Sequence, residues 1–211
     1  MGRKLVLAAV VLGAALAVYV ALPWHADLRA FDPVEMARLE TAMWRDYYEK
    51  RYPAPFYHLH ESCRAQFGFS PLGSARIALS AAQAAKAFQP TRSRAEADRA
   101  LPHLMTYYGR LREAAPAAFD AGEIARRQLD WWQARREAAG PRDYGRTIAA
   151  VAALTYGKPA GNPDILAFGI ARAEAMAYHD ARAEEITNED WFDIARRLRG
   201  AYERLRAGIG G

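Results

Sequence analysis

Thr187-Asn188-Glu189-Asp190-Trp191-Phe192-Asp193-Ile194-Ala195-Arg196-Arg197-Leu198-Arg199-Gly200-Ala201-Tyr202-Glu203-Arg204-Leu205-Arg206 is the stretch that decides the fold class of this 211-residue chain. Thr187 and Asp190 stand at the spacing at which a helix-capping side chain meets the third helical residue, so a helix starts here. Projected at about 100° per residue, Trp191, Ile194, Ala195, Leu198, Tyr202 and Leu205 share one arc while charged residues fill the other side. Such a helix is stable only when that arc is buried against neighbours.

Working upstream, the same punctuation recurs. Asn162-Pro163 opens a helix to about Arg182, and Gly140-Pro141 opens one that ends at Gly157. Asp120 with Glu123 and Ser93 with Glu96 have capping spacing and start helices reaching about Ala139 and Ala115. Ser70-Pro71 begins a segment to about Phe88, a short helix runs from Pro55 to Phe67, and Asp32-Pro33 begins one to about Arg51 that Pro53 and Pro55 stop. Eight body helices result. No sustained alternating run bounded by hairpin turns occurs, and the short connections favour antiparallel neighbours. The expected architecture is all-α: an N-terminal transmembrane helix over 1–24, then a compact helical bundle over 25–211. The Ala-rich segment from Leu72 to Phe88, charged only at Arg76 and Lys86, is expected at the centre of that bundle.

At the N-terminus Arg3 and Lys4 precede an uncharged run from Leu5 to Trp24. As a helix, these 20 residues span about 30 Å, the hydrocarbon thickness of a bilayer. Cleavage after Ala15-Leu16-Ala17 would leave an apolar new terminus from Val18, whereas Tyr19 and Trp24 suit the far interface of an uncleaved helix, with His25 just beyond it. The reading is a signal-anchor in the cytoplasmic membrane, single-pass, N-terminus inside and body in the periplasm.

Composition narrows the partners. Setting aside Arg3 and Lys4, 27 basic residues face 24 acidic ones, so the body is close to neutral despite its formal net charge of +5. Its arginines fall in isolated pairs such as Arg126-Arg127 and Arg196-Arg197, without a long basic run or a groove-reading motif, so nucleic acid is not an expected partner. Cys63 is the single cysteine, which excludes an intramolecular disulfide framework. The aromatic clusters Trp44-Tyr47-Tyr48, Tyr107-Tyr108 and Trp131-Trp132 are read as interhelix packing rather than a ligand cage.

Chemistry is sparsely signalled. There is no Gly-rich phosphate loop, Gly-x-Ser-x-Gly elbow, His-Glu-x-x-His or dinucleotide fingerprint, which points away from an enzyme and implies no cofactor. Three polar residues project into apolar arcs: Glu40 between Met36, Met43 and Tyr47; His60 beside Phe56, Leu59, Cys63 and Phe67; and Glu174 between Ala167, Ile170 and Tyr178. An isolated buried charge is costly, so such carboxylates must be paired, protonated or bound to a cation. One explanation is a metal-binding or oxidoreductase bundle centred on Glu40, His60 and Glu174, with Cys63 on the face of His60. Against it, the chain lacks the paired Glu-x-x-His motifs of dinuclear carboxylate bundles, and His58-x-x-Glu61 runs in reverse order. The other explanation is structural pairing, with Arg51, Arg64 or Arg172 offering a guanidinium to a carboxylate.

The segments Met43-Trp44-Arg45-Asp46-Tyr47-Tyr48-Glu49-Lys50-Arg51-Tyr52, Phe56-Tyr57-His58-Leu59 and Phe67-Gly68-Phe69-Ser70-Pro71 resemble a group of uncharacterised bacterial all-helical proteins with an N-terminal membrane anchor or signal. The resemblance implies an envelope setting and carries no function. Together these features lead to the expectation of a non-catalytic, membrane-anchored protein that binds or scaffolds another membrane or periplasmic protein. The metal or redox bundle is the alternative. A third reading, a small apolar ligand held between helices, requires a cavity.

Overall fold

The computed structural model describes residues 2–22, 26–51, 54–115 and 119–210, so Trp24, His25, Tyr52 and Pro53 lie outside the described residues. Among those residues the chain is all-helical, with no strand. The helices are α1 (Gly2–Ala21), α2 (Pro33–Tyr48), α3 (Ala54–Glu61), α4 (Pro71–Phe88), α5 (Arg94–Ala97), α6 (Leu101–Ala114), α7 (Ala121–Arg136), α8 (Pro141–Thr155), α9 (Pro163–Asp180) and α10 (Asn188–Ile209).

The capping residues act as their chemistry requires. Asp32 accepts from the Glu35 amide at 2.8 Å and Asp120 from the Glu123 amide at 2.7 Å. Asn162 holds the amides of Asp164 and Ile165, and Thr187 with Asp190 forms a full reciprocal box. Helix ends depart more from expectation. α2 and α7 stop at Tyr48 and Arg136 because Lys50 and Ala138 take left-handed φ values of 57° and 55°, which non-glycine side chains do not advertise. The helix expected from Ser93 to Ala115 is broken into α5, a 3₁₀ turn at Asp98–Ala100 and α6. Pro102 accounts for the break: lacking an amide hydrogen, it belongs in the first turn of a new helix. The expected helix to Phe67 ends instead in a π turn at Ser62–Gln66.

Each long body helix packs on its neighbours in sequence, in the order α2, α3, α4, α6, α7, α8, α9, α10, and α10 closes onto α2. The bundle is therefore a ring. Closure is reinforced by Arg206 of α10, which donates to the Phe31 carbonyl just before α2, and by the edge-on Phe31 and Tyr202 rings at 5.9 Å. One apolar cluster joins α2, α8, α9 and α10; a second joins α4, α6 and α7 with Cys63; Phe67 and Tyr156 pack against both. The expected arc of α10 is buried at Trp191, Ile194, Leu198, Tyr202 and Leu205.

Two expectations are corrected by this ring. The Ala-rich helix α4 is not central: it packs on α3 and α6 through one face, while Leu72, Leu79, Ala82 and Ala85 are exposed and Ala81, Ala82 and Ala85 line a pocket. Close approach belongs to α8 and α9, where glycines face each other. A Cβ on Gly169 would lie 2.7 Å from the Ala149 amide nitrogen and closer still to the Gly145 carbonyl oxygen. Backbone atoms cannot swing aside, so Gly169→Ala should lower stability by about 1 to 3 kcal/mol in urea unfolding, whereas Gly200→Ala, where a Cβ meets nothing within 4 Å, should not. Equal stability of the two variants would contradict the α8–α9 contact.

α1 has no buried residue and is long and apolar enough to cross a membrane, a property that it would share with a signal sequence. It touches the body along α4, and the Tyr19 hydroxyl accepts from Arg64 at 2.7 Å.

Candidate functional site

Pockets lie between the helices of this ring, and the exposed Tyr47, Phe56, Ala82 and Ala85 mark where the first opens to solvent. Three cavities of about 400, 290 and 620 Å³ share Met43, Trp131 and Arg172 as walls, and together they are lined from all eight ring helices. The first is the most apolar, walled by Trp44 and Tyr47 of α2, Ala81, Ala82 and Ala85 of α4, Tyr107 of α6 and Trp131 and Trp132 of α7. These rings were expected to serve as packing alone. They do pack between helices, with the Trp132 ring of α7 4.9 Å from that of Phe88 of α4, but ring closure also brings the adjacent aromatic pairs of α2, α6 and α7 to one pocket, where the alanines of α4 leave room opposite them.

Arg172 and Glu40 stand where the cavities meet. Glu40, 6% exposed, accepts from Arg172 Nε at 2.9 Å, from a second nitrogen of the same guanidinium, and from the Tyr202 hydroxyl at 2.7 Å. Burial, and then the adjacent carboxylate, push the Tyr202 phenol well above its usual range, so it remains a donor. The Arg172 guanidinium also lies 5.6 Å from the Trp44 ring centroid and 5.1 Å from that of Trp131. This triad ties α2, α9 and α10 together. It is the structural pairing that the sequence allows for Glu40, with Arg172 as the partner.

The other two metal candidates have different settings. Glu174 is exposed, which corrects its expected place in an apolar arc. α9 is apolar nearly all round, and the stripe that the fold buries is Ile165, Phe168, Gly169, Met176 and His179; Ala167, Ile170 and Tyr178 lie only partly buried beside Glu174. His60 is partly buried, with ring nitrogens 3.3 Å from the Pro71 carbonyl oxygen and from Glu61. The π turn that follows it alters the 100° projection by which Cys63 and Phe67 were aligned with His60. Cys63 is 2% exposed, and burial pushes its thiol up to about 12, so it is an inert apolar side chain. Among the described residues, no three His, Cys, Asp or Glu side chains gather as metal ligands.

Sequence reasoning missed two polar clusters. Asp46, buried near the end of α2, is bonded by Arg51 Nε at 2.7 Å and by His58 Nε2 of α3 at 2.9 Å. Burial, the largest single influence, raises its carboxyl, but the bonds and charges of Arg51 and His58 together hold it below the ordinary value. The second cluster reaches the wide cavity through Tyr48, Arg135 and Asp180: Arg135 donates to the Tyr48 hydroxyl at 2.6 Å and to Asp180 at 3.0 Å, and the buried His179 is stacked on Tyr48 with ring centroids 3.7 Å apart. Nothing local in sequence joins Tyr48, Arg135 and His179; they meet because α2, α7 and α9 face one interior.

The site is therefore an aromatic-walled space with donors at its polar end and no nucleophile paired to a base among the groups described. No family model, curated protein or solved structure matches this chain. Its geometry alone carries the functional argument.

Proposed function

We propose that this protein is a non-catalytic, membrane-tethered binding protein whose helical body takes up one small, largely apolar molecule inside the ring. The observation that supports this reading is the aromatic cavity of about 400 Å³ between α2, α4, α6 and α7, within the ~300–1,000 Å³ range of small-molecule sites and with few polar groups. The α1 helix supports a tether. Arg3 and Lys4 before its apolar run favour an N-terminus inside the cytoplasmic membrane and a body in the periplasm. The test is titration of the full chain in detergent with 1-aminoanthracene, a neutral aromatic fluorophore. One saturable site is expected, with energy transfer from cavity tryptophans. Ala85→Phe, which fills the space, should weaken binding by about tenfold or more, a loss of ~1.4 kcal/mol. Absence of a saturable site, or equal affinity in the filled variant, would sink the reading.

A second reading keeps the expected protein partner, and one feature favours it. Between α2 and α10 lies a surface groove where Val34 is 57% and Phe192 75% exposed, flanked by Arg38, Arg45, Arg196 and Arg199. Exposed apolar side chains rimmed by polar ones are common at protein interfaces. A photo-crosslinker at position 192 should then yield one discrete adduct in the membrane; its absence would count against this reading.

A further inference from the structure

We infer that the cavity selects an oxyanion: its occupant is an apolar molecule carrying one carboxylate or phosphate, with the head against α7. This inference rests on the ligand-binding reading above and concerns the chemistry of the cavity's polar end.

Among the described residues, five buried side-chain polar atoms have no hydrogen-bond partner, and two of them, Trp131 Nε1 and Arg135 Nε, are one turn apart on α7. Both residues wall the same cavity of about 620 Å³. Both atoms are donors, and a buried donor left unpaired costs about 1 to 3 kcal/mol, so each would be satisfied by an acceptor brought against α7.

The charge around that acceptor position is positive. The cavity is lined by Arg135, Arg136 and Arg172 against the single carboxylate of Asp180. Asp180 accepts from Arg135, and Arg172 is occupied by Glu40 from the adjoining space. Arg136 is different: its guanidinium lies 3.7 Å from the Phe88 ring centroid and donates to the Thr91 hydroxyl and the Phe88 carbonyl, both neutral groups. It therefore adds a positive charge that these bonds do not neutralise. Hydrogen bonds to a charged acceptor are worth about twice neutral ones, which sets the preference for an anion over a hydroxyl.

The apolar part has its own place. The wide cavity shares Trp44, Tyr47, Ala85, Trp131 and Trp132 with the apolar one. A flat apolar body seated among the rings would therefore extend its head toward Arg136 and the unpaired α7 donors.

The experiment compares ligands built on one naphthalene ring with anionic, neutral or cationic heads, on the full chain in detergent, by displacement of 1-aminoanthracene. 2-Naphthoate and 2-naphthyl phosphate, the two sources of an oxyanion, are expected to bind at least about tenfold more tightly than 2-naphthylmethanol, with 2-naphthylmethylamine weakest. The stronger of the two anions identifies the head. In Arg136→Gln, and independently in Trp131→Phe, which keeps a ring but removes the donor, the ratio of anion to alcohol affinity should fall at least threefold. Each ratio is measured within one protein, so a general loss of folding or of apolar affinity does not mimic the result. Equal affinity of anion and alcohol, preference for the amine, or an unchanged ratio in both variants would overturn the oxyanion while leaving the cavity reading intact. Failure of every naphthalene and of 1-aminoanthracene to bind would overturn the cavity reading, and this inference with it.

Discussion

Glu40→Ala is expected to destabilise the protein by about 3 to 5 kcal/mol, because it strips the buried Arg172 guanidinium of its carboxylate and the Tyr202 hydroxyl of its acceptor. Arg172 has a side chain only 15% exposed and sits among Trp44, Trp131 and Tyr202, so water can replace little of what is lost. The reverse variant, Arg172→Ala, should cost a similar amount by stranding Glu40. Replacing both by methionine should cost far less than the sum, since removing two buried charges together leaves neither unpaired. Urea unfolding of the four proteins gives the cycle directly. Single-variant losses under about 1 kcal/mol, or strict additivity in the double, would show that the triad does not hold α2 to α9 and α10.

The next largest effect is expected at Leu198, whose side chain is fully buried in the cluster that joins α2, α8, α9 and α10. Leu198→Ala should cost about 2 to 5 kcal/mol, the lost apolar burial plus the void left behind. Phe192, larger and on the same helix but 75% exposed, is the internal comparison: Phe192→Ala should change stability by no more than about 0.5 kcal/mol. The contrast tests which face of α10 is buried. Near-equal losses at the two positions, or a reversed order, would mean that the arc faces the other way.

What could be read from the residues, and what could not, follows the range of the interactions. The caps at Asp32, Ser70, Asp120, Asn162 and Thr187 act within three residues, so their sequence spacing suffices to start each helix. α10, with charge confined to one side, showed its buried arc plainly. α9 did not: with alanines on several sides, Glu174 fell within an apolar arc on paper and outside the buried stripe in the fold. The stops at Lys50 and Ala138 carried no glycine to mark them, and Pro102 broke a helix that its flanking pattern continued. Ring closure lay furthest from view. The bond between Glu40 and Arg172 crosses 132 residues, and nothing in the local pattern selects Arg172 from 25 arginines. The cavity follows from that closure, which is why aromatic pairs that read as packing became its walls.

The central claim is that the helices close around a space that is apolar and open to a small molecule. Crystals of the protein equilibrated with xenon under pressure test it most directly, because xenon settles in apolar cavities and is seen by its scattering. The account predicts xenon inside the ring, against Ala82, Tyr107 and Trp131. A ring interior without xenon, its space filled by those aromatic side chains collapsed onto α4, would contradict it.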